Sequence, residues 1–257
     1  MKNPLVSVII PAYNCAATIA AAIDSALDQD VPVEILVIDD GSSDDLDAVM
    51  DRYKDVQEVF YVQNERNMGV ARTRNRGVAM AKGSHVAFLD GDDYWTPGKL
   101  QKQLVAMEKT GAVLCSTARE LMTPDGKLTG RVIPVKEKIS YGELLKHNSI
   151  NCSSVLIRAE VAREFPMEHD DSHEDYILWL RVLKKYGSAC AVNEPLLKYR
   201  LSNTGKSGNK FRSARMTYRV YRHMGFGLVK SCVLFASYAF HGVKKYALSY
   251  LGVKDEA

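Results

Sequence analysis

An apolar run that ends in a loop of acids occurs twice in the first hundred residues, and each loop is followed by a helical pattern. The first is Val33-Glu34-Ile35-Leu36-Val37-Ile38, followed by Asp39-Asp40-Gly41-Ser42-Ser43-Asp44. The second is His85-Val86-Ala87-Phe88-Leu89, followed by Asp90-Gly91-Asp92-Asp93. Strand, polar loop, helix is the repeating edge of an open α/β sheet, where ligands sit beyond the carboxyl ends of the strands. A third run, Val6-Ser7-Val8-Ile9-Ile10, leads into Pro11-Ala12-Tyr13-Asn14 and brings an aromatic ring to the same edge. Strands expected near 5–10, 33–38, 59–63, 85–89 and 112–117 alternate with helical patterns near 18–28, 44–54, 69–81 and 97–110, which argues for a mostly parallel sheet. After residue 118 the pattern changes: a turn at Thr123-Pro124-Asp125-Gly126 predicts a hairpin, and helices are expected near 140–148, 159–164 and 173–186.

Three carboxylates in one short loop repel one another unless a cation offsets their charge. Mg²⁺ and Mn²⁺ prefer such oxygen ligands and commonly share them with a substrate phosphate. The alternative for Asp90, Asp92 and Asp93 is a solvated acidic turn ahead of a helix that starts at Thr96-Pro97. On the 69–81 helix, Ala71, Arg74, Val78 and Ala81 share one stripe, so Arg74 lies on a packing face. A buried guanidinium needs a partner; here it is an acidic loop (Asp39, Asp40 or Asp90) or a donor phosphate. Arg72 and Arg76 fall on other faces, where solvation is expected. A further acidic pair, Glu174-Asp175, opens the 173–186 helix; acids also favour a helix N-terminus for purely structural reasons.

Taken together and in order, VSVIIPAYN (6–14), IDDGSS (38–43), the segment 67–83 with its GVARTRNRG core, and FLDGDD (88–93) resemble the inverting glycosyltransferase family 2. The resemblance spans roughly residues 4 to 200. It implies the GT-A fold, a Rossmann-like α/β arrangement, with a nucleotide-diphosphate-sugar donor (a UDP-sugar first) and a divalent cation, Mn²⁺ or Mg²⁺. By the same resemblance Pro11, Tyr13 and Asp40 contact the nucleotide base. Asp90 lies near the ribose and Asp92 binds the metal, together forming the Asp-x-Asp motif that Asp93 extends. Asp175, beside Glu174, is the general base that takes the proton of the acceptor hydroxyl.

The 257 residues suffice for one large core, and 46% hydrophobic content is that of a globular domain. Five cysteines, at positions 15, 115, 152, 190 and 232, form no metal-ligand or C-x-x-C spacing and fit a reducing compartment. No apolar leader precedes the first strand, so a cytoplasmic location is expected. The net charge of +3 conceals an asymmetry: residues 206–257 hold ten Lys or Arg against two acids, whereas residues 1–205 hold 24 bases against 29 acids. The expected organisation is a GT-A domain over 1–205, with a nucleotide-sugar half (1–117) and an acceptor half (118–205), and a basic amphipathic helical tail over 206–257. Within the tail, Leu228, Cys232, Phe235, Ala239, Val243, Tyr246 and Tyr250 are expected on one side, with Lys230, Ser237, His241 and Lys244 on another.

That pattern predicts a helix lying on an anionic membrane surface; its alternative is a helix packed on the domain. The run Cys232 to Phe240 falls well short of the roughly 20 residues needed for a span. A lipid-diphosphate-linked saccharide acceptor, in bacterial surface-polysaccharide synthesis, is what the resemblance and the tail imply together. No groove-reading motif accompanies the charge, so nucleic acid is not an expected partner. A phosphatase of the haloacid-dehalogenase type is disfavoured because Asp90-Gly91-Asp92-Asp93-Tyr94 lacks its pattern, and a nucleotidyltransferase because its Gly-rich N-terminal loop is missing. A catalytically silent sugar-nucleotide binder is disfavoured by the presence of Asp90, Asp92 and Asp175 together.

Overall fold

The computed structural model of the chain describes residues 5–201 and 210–250. Its centre is a ten-stranded sheet, β1 (Val6–Ala12), β2 (Val33–Asp39), β3 (Val59–Gln63), β4 (His85–Phe88), β5 (Tyr94–Trp95), β6 (Leu114–Met122), β7 (Leu128–Ile133), β8 (Lys138–Ser140), β9 (Leu156–Arg158) and β10 (Ser188–Arg200). The strands are ordered β3-β2-β1-β4-β9-β6-β10-β5, with β7 on β6 as the expected hairpin and β8 on β10. Strands β3, β2, β1 and β4 are mutually parallel, and β6 and β10 are parallel to each other. Short β9 runs antiparallel to both β4 and β6 and so joins the two groups in one common direction. The sheet is therefore mostly parallel, as expected.

Helices α1 (Ile19–Leu27), α2 (Leu46–Met50) and α4 (Lys99–Thr110) cover one face, and α3 (Val70–Met80), α6 (Ala159–Glu164) and α7 (Glu174–Tyr186) the other. Alternation along β1 makes this possible: Val8 and Ile10 join the α1 core, while Ile9 points into the α3 core. A Cβ on Gly77 would stand 2.5 Å from Ile9 Cγ2, so α3 lies against β1 only because that residue is glycine. On the same face Trp179 and Phe88 pack with ring centroids 6.2 Å apart. Each large side chain buried in this way contributes on the order of 1.5–3 kcal/mol. Since α7 starts immediately before Tyr176 and Trp179, these buried rings fix where its N-terminus lies.

Strands β9 and β10 were not expected from the sequence. β10 is interrupted by a bulge around Pro195, where the pairing to β6 shifts register. The polar stretch Asn193-Glu194 sits in that bulge, which conceals a 13-residue strand.

Two further helices, α8 (Lys210–His223) and α9 (Leu228–Tyr250), follow the sheet; α8 packs on α7, and α5 (Tyr141–Lys146) packs between α7 and α9. Val220 and Tyr221 of α8 are fully buried. The Tyr176 hydroxyl donates to Leu144 O at 2.6 Å and lies 3.4 Å from the Tyr221 hydroxyl, and the Tyr238 ring stands 6.1 Å from that of Tyr176. The inner face of α9 thus packs on the domain. The expected sides of that helix are redrawn: Phe235 turns inward against Tyr218, while Cys232 turns outward. The side chains of Val243, Lys244, Tyr246, Tyr250 and His241 lie outside the described residues. Among those described, no helix is long and apolar enough to cross a membrane.

Candidate active site

The loops after β1, β2 and β4 meet at one edge of the sheet. Asn14 N donates to Ser42 Oγ at 3.0 Å, Ala16 N to Asp44 Oδ2 at 2.8 Å, and Ser43 N to Asn14 Oδ1 at 2.8 Å, which laces the first loop to the second. The third is held by Thr18, whose hydroxyl donates to Gly91 O at 2.8 Å. Tyr13 projects from this junction with 53% of its surface exposed, and Pro11, at the end of β1, is half-buried. An exposed ring on a loop anchored at both sides is preformed for stacking.

Asp40 is buried and fully engaged. One oxygen accepts from Asn64 Nδ2 at 2.8 Å and Met68 N at 2.8 Å, the other from Gly69 N at 2.9 Å. Its carboxylate organises the entry to α3. Gly41 beside it has φ +77°, and a Cβ there would meet Asn67 N at 3.0 Å, so the turn and that entry are built together. Asp39, one of the acids expected as a partner for Arg74, instead accepts from the Ser42 hydroxyl at 2.6 Å and the Tyr61 hydroxyl at 3.2 Å.

Arg74 is the hub of the site. Its guanidinium is buried, with Nη2 2.6 Å from Asp90 Oδ1 and Nη1 3.0 Å from Glu174 Oε1. Of the partners open to it in the sequence, Asp90 is realised; Glu174 was not foreseen, because nothing local announces a contact between α3 and α7. Arg72 is exposed as expected, whereas Arg76 donates to Gln63 O at 2.8 Å. Asn75, next to Arg74, exchanges hydrogen bonds with the backbone of Met167 at 2.8 and 2.9 Å, tying α3 to the loop ahead of α7.

The three acids after β4 occupy different environments. Asp93 is buried and accepts from Arg200 N at 2.8 Å, and the Arg200 Nε donates to Asp92 O at 2.8 Å. Burial, then the charges of Asp92 and Asp90, hold the Asp93 carboxyl well above the usual carboxylate range. Burial and Asp90 also push Asp92 up to about 6. Carboxylates displaced upward by one another are a donor set that a hard divalent cation would relieve, and the all-oxygen chemistry fits Mg²⁺ or Mn²⁺. Asp175 lies at the first turn of α7, partly exposed, and is raised by burial and by the adjacent Glu174 charge, with His173 and Arg74 opposing. A partly exposed carboxylate poised above its ordinary range is suited to accept a proton. The structure thus brings Asp90, Arg74, Glu174 and Asp175 to one place, with Asp92 and Asp93 on the same loop as Asp90.

A curled, mostly parallel sheet with an acidic loop at its carboxyl edge and an acidic pair opposite defines a glycosyltransferase of the GT-A type. The sequence model of Glycosyl transferase family 2 matches residues 7–163, and the chain belongs to that family. It is 37% identical over 95% of its length to a Bacillus subtilis (strain 168) glycosyltransferase named TuaG for teichuronic acid biosynthesis, covering 98% of that protein. It is 35% identical over 96% of its length to Escherichia coli WfaP, covering 97% of it; that protein is named a UDP-Glc:alpha-D-GlcNAc-diphosphoundecaprenol beta-1,3-glucosyltransferase. Among solved structures, S. aureus TarS (residues 1–349) in complex with UDP-GlcNAc superposes with a TM-score of 0.73 at 18% identity, over 98% of this chain and 76% of that one. The mannosyltransferase PcManGT from Pyrobaculum calidifontis, in complex with GDP-Man and Mn²⁺, gives 0.69 at 18% identity over 88% and 66%.

Proposed function

We propose that this glycosyltransferase is inverting and cation-dependent. It moves a sugar from a nucleotide-diphosphate-sugar, a UDP-sugar first, to a lipid-diphosphate-linked saccharide in cell-surface polysaccharide synthesis. The observation that carries the reading is Arg74, which ties Asp90 of the Asp-x-Asp loop to Glu174 beside Asp175. Through one guanidinium, the donor-side acids and the acceptor-side base are held in fixed relation, as an in-line displacement requires.

In this reading Tyr13 stacks on the base above Pro11, and Asp40 acts through the loop it organises. Asp90 faces the ribose and Asp92 would hold Mn²⁺ or Mg²⁺, with Asp93 as the buried anchor of the loop. When bound, the cation would neutralise the departing nucleoside diphosphate. Asp175 accepts the proton of the attacking hydroxyl, and Glu174 keeps its basicity high. Residues 1–117 form the donor half and 118–205 the acceptor half, with α8 and α9 beside the latter. The names of WfaP and of a second Escherichia coli relative, WfgD, 33% identical over 97% of this chain, support a UDP-sugar donor and a diphosphoundecaprenol-linked acceptor. The Mn²⁺ in the PcManGT complex supports the cation.

The acceptor's lipid gives a role to the outer face of α9. Val229, Val233, Ala236 and Phe240 recur at helical spacing and are exposed, Val229 by 80% and Phe240 by 68%. Phe211 of α8 is 91% exposed, and Arg212, Arg215 and Lys230 are exposed on the same two helices. An outward apolar stripe beside bases is the pattern of a helix seated in an anionic membrane interface, so the enzyme would act peripherally at the inner membrane face.

The test is a donor screen on purified protein. UDP-, GDP- and dTDP-sugars are offered with Mn²⁺ or with EDTA, with and without a lipid-diphosphate saccharide, and nucleoside-diphosphate release is followed. Cation-dependent, acceptor-stimulated release from one donor is expected. Release that persists undiminished in EDTA would remove the cation from the mechanism.

A further inference from the structure

The loop joining α6 to α7 carries a group of side chains that the glycosyl-transfer site does not use. One ring nitrogen of His169, one ring nitrogen of His223 and a carboxylate oxygen of Asp171 all lie within 4.8 Å of one another. His169 and Asp171 belong to that loop, whereas His223 is the last residue of α8. The two imidazoles stack at 3.7 Å between centroids with planes 12° apart. Asp171 Oδ1 stands 3.4 Å from His223 Nε2, while its Oδ2 is held by Arg219 Nη1 at 3.0 Å.

We propose that His169, Asp171 and His223 bind a transition-metal ion of the Zn²⁺ class, clasping the loop ahead of the Glu174-Asp175 pair to α8. The geometry argues this in three ways. Metal–ligand bonds of about 2.0–2.2 Å at a tetrahedral angle put neighbouring ligand atoms roughly 3.4 Å apart, and Asp171 and His223 already stand at that separation. Arg219 grips the second carboxylate oxygen and aims the first, as outer partners of a metal ligand do. His169 holds a left-handed backbone, φ +67°, which among the described non-glycine residues only Asn14 shares. Strained conformations of this kind cluster at ligand clamps and switch segments. Parallel rings at 3.7 Å point their in-plane lone pairs side by side, so sharing one ion requires the exposed His169 ring to swing off the stack toward Asp171.

Two imidazoles and one carboxylate select differently from the acids after β4. Nitrogen ligands suit Zn²⁺, Co²⁺ or Ni²⁺, and an all-carboxylate set suits Mg²⁺ or Mn²⁺. Three protein ligands leave a fourth position for water. The consequence of binding is positional. The same loop is bonded to α3 through Met167 and Asn75, and Asp170 Oδ1 accepts from Ala71 N at 3.2 Å. Arg219 already ties Asp171 to α8, and a metal at His169, Asp171 and His223 would add a second, stiffer tie there and steady the approach to Asp175. The proposal stands independently of the donor and acceptor assigned above.

The experiment uses the full chain, without a polyhistidine tag, stripped by chelator and kept in excess Mg²⁺ so that oxygen-ligand sites are filled. Co²⁺ is titrated and the visible absorption of tetrahedral Co²⁺ is recorded, followed by competition with Zn²⁺. One equivalent is expected to bind and to be displaced by Zn²⁺, with increased amide protection over residues 166–173. His223→Ala should weaken binding by more than about tenfold, the lower end of what even outer-shell changes cost. His169→Asn is the fold control: asparagine tolerates a positive φ, so this variant should unfold no more easily than the parent while losing the metal. Absence of the Co²⁺ band in the parent, or its survival in both variants, overturns the proposal.

Discussion

Arg74 donates to Asp90 across 2.6 Å from inside the α3 core, and the other arm of the same guanidinium reaches Glu174 at 3.0 Å. Two carboxylates from separate elements, the loop after β4 and the first turn of α7, therefore share one buried cation. Removing that cation leaves two poorly solvated negative charges facing each other. Arg74→Met should lower the unfolding free energy by roughly 3–5 kcal/mol, the range for breaking a buried pair from one side. Arg74→Lys, with one point charge and no fork, should keep part of the stability and lose most of the activity. Urea unfolding read beside nucleoside-diphosphate release checks both. An Arg74→Met variant of parental stability would remove the hub from the argument.

The Asp175 carboxyl is raised by burial and next by Glu174. As a base it must be ionised, so kcat/KM should fall as pH drops through that raised value, placing the acid limb above the ordinary carboxylate range. Replacing Glu174 by glutamine keeps a hydrogen-bonding group beside Arg74 but deletes the like charge. Loss of that charge favours the ionised form of Asp175, and the acid limb should move to lower pH. Asp175→Asn should preserve donor binding and abolish turnover. A limb that stays in place in Glu174→Gln would mean that another group controls it.

Asp92 is pushed up to about 6 because it is buried beside Asp90. A neutral amide at this position relieves like-charge crowding and removes a cation ligand. Asp92→Asn should therefore unfold within about 1 kcal/mol of the parent, the usual range away from a packing defect. Mn²⁺-dependent transfer should nonetheless disappear. Calorimetric Mn²⁺ binding with UDP present, run beside thermal unfolding, separates the two effects. Full transfer activity in the variant would remove Asp92 from the cation site.

Lys99 is fully buried, its ammonium 2.8 Å from Gln103 Oε1 and 3.9 Å from the centroid of the Trp95 ring. Burial depresses it from 10.5 to about 7. A lysine with a lowered folded pKa binds more protons unfolded than folded between those two values. Stability must therefore rise with pH across that window and carry the full penalty below it. Lys99→Met should be more stable than the parent at pH 6, by on the order of 5 kcal/mol at most, and should lose the rise between pH 7 and 10. Denaturant unfolding at several pH values reads this directly; equal slopes in parent and variant would contradict it.

What the sequence discloses here is whatever is local. The strands through Ile10, Ile38 and Phe88 and their polar loops are continuous runs, so their type and edge follow from the chain alone. β9 has three residues, too few for a period, and β10 is broken by Pro195. The Arg74–Glu174 pair joins α3 to α7, and the cluster of His169, Asp171 and His223 joins a loop to α8; neither leaves a local trace. In α9 nearly every side is apolar, so periodicity identifies a helix without saying which face turns inward. Packing on Tyr176 and His147 decides that.

That decision makes the membrane reading testable residue by residue. With Phe235 and Tyr238 turned inward, the stripe at Val229, Val233, Ala236 and Phe240 is left exposed, and the membrane reading assigns it to lipid. Placing a charge there reverses the transfer of apolar surface on which such seating depends, while leaving the inner face untouched. Val233→Asp with Phe240→Asp should release the protein from vesicles containing anionic lipid and weaken transfer to a lipid-linked acceptor far more than donor hydrolysis. Substituting Arg212 and Arg215 by glutamine should instead weaken binding in proportion to anionic lipid content, by about 1 kcal/mol for each charge removed. Co-sedimentation with vesicles of graded composition distinguishes the two contributions. Undiminished sedimentation of the double aspartate variant would assign the stripe to something other than lipid, and the acceptor would then have to be delivered to Asp175 by another surface.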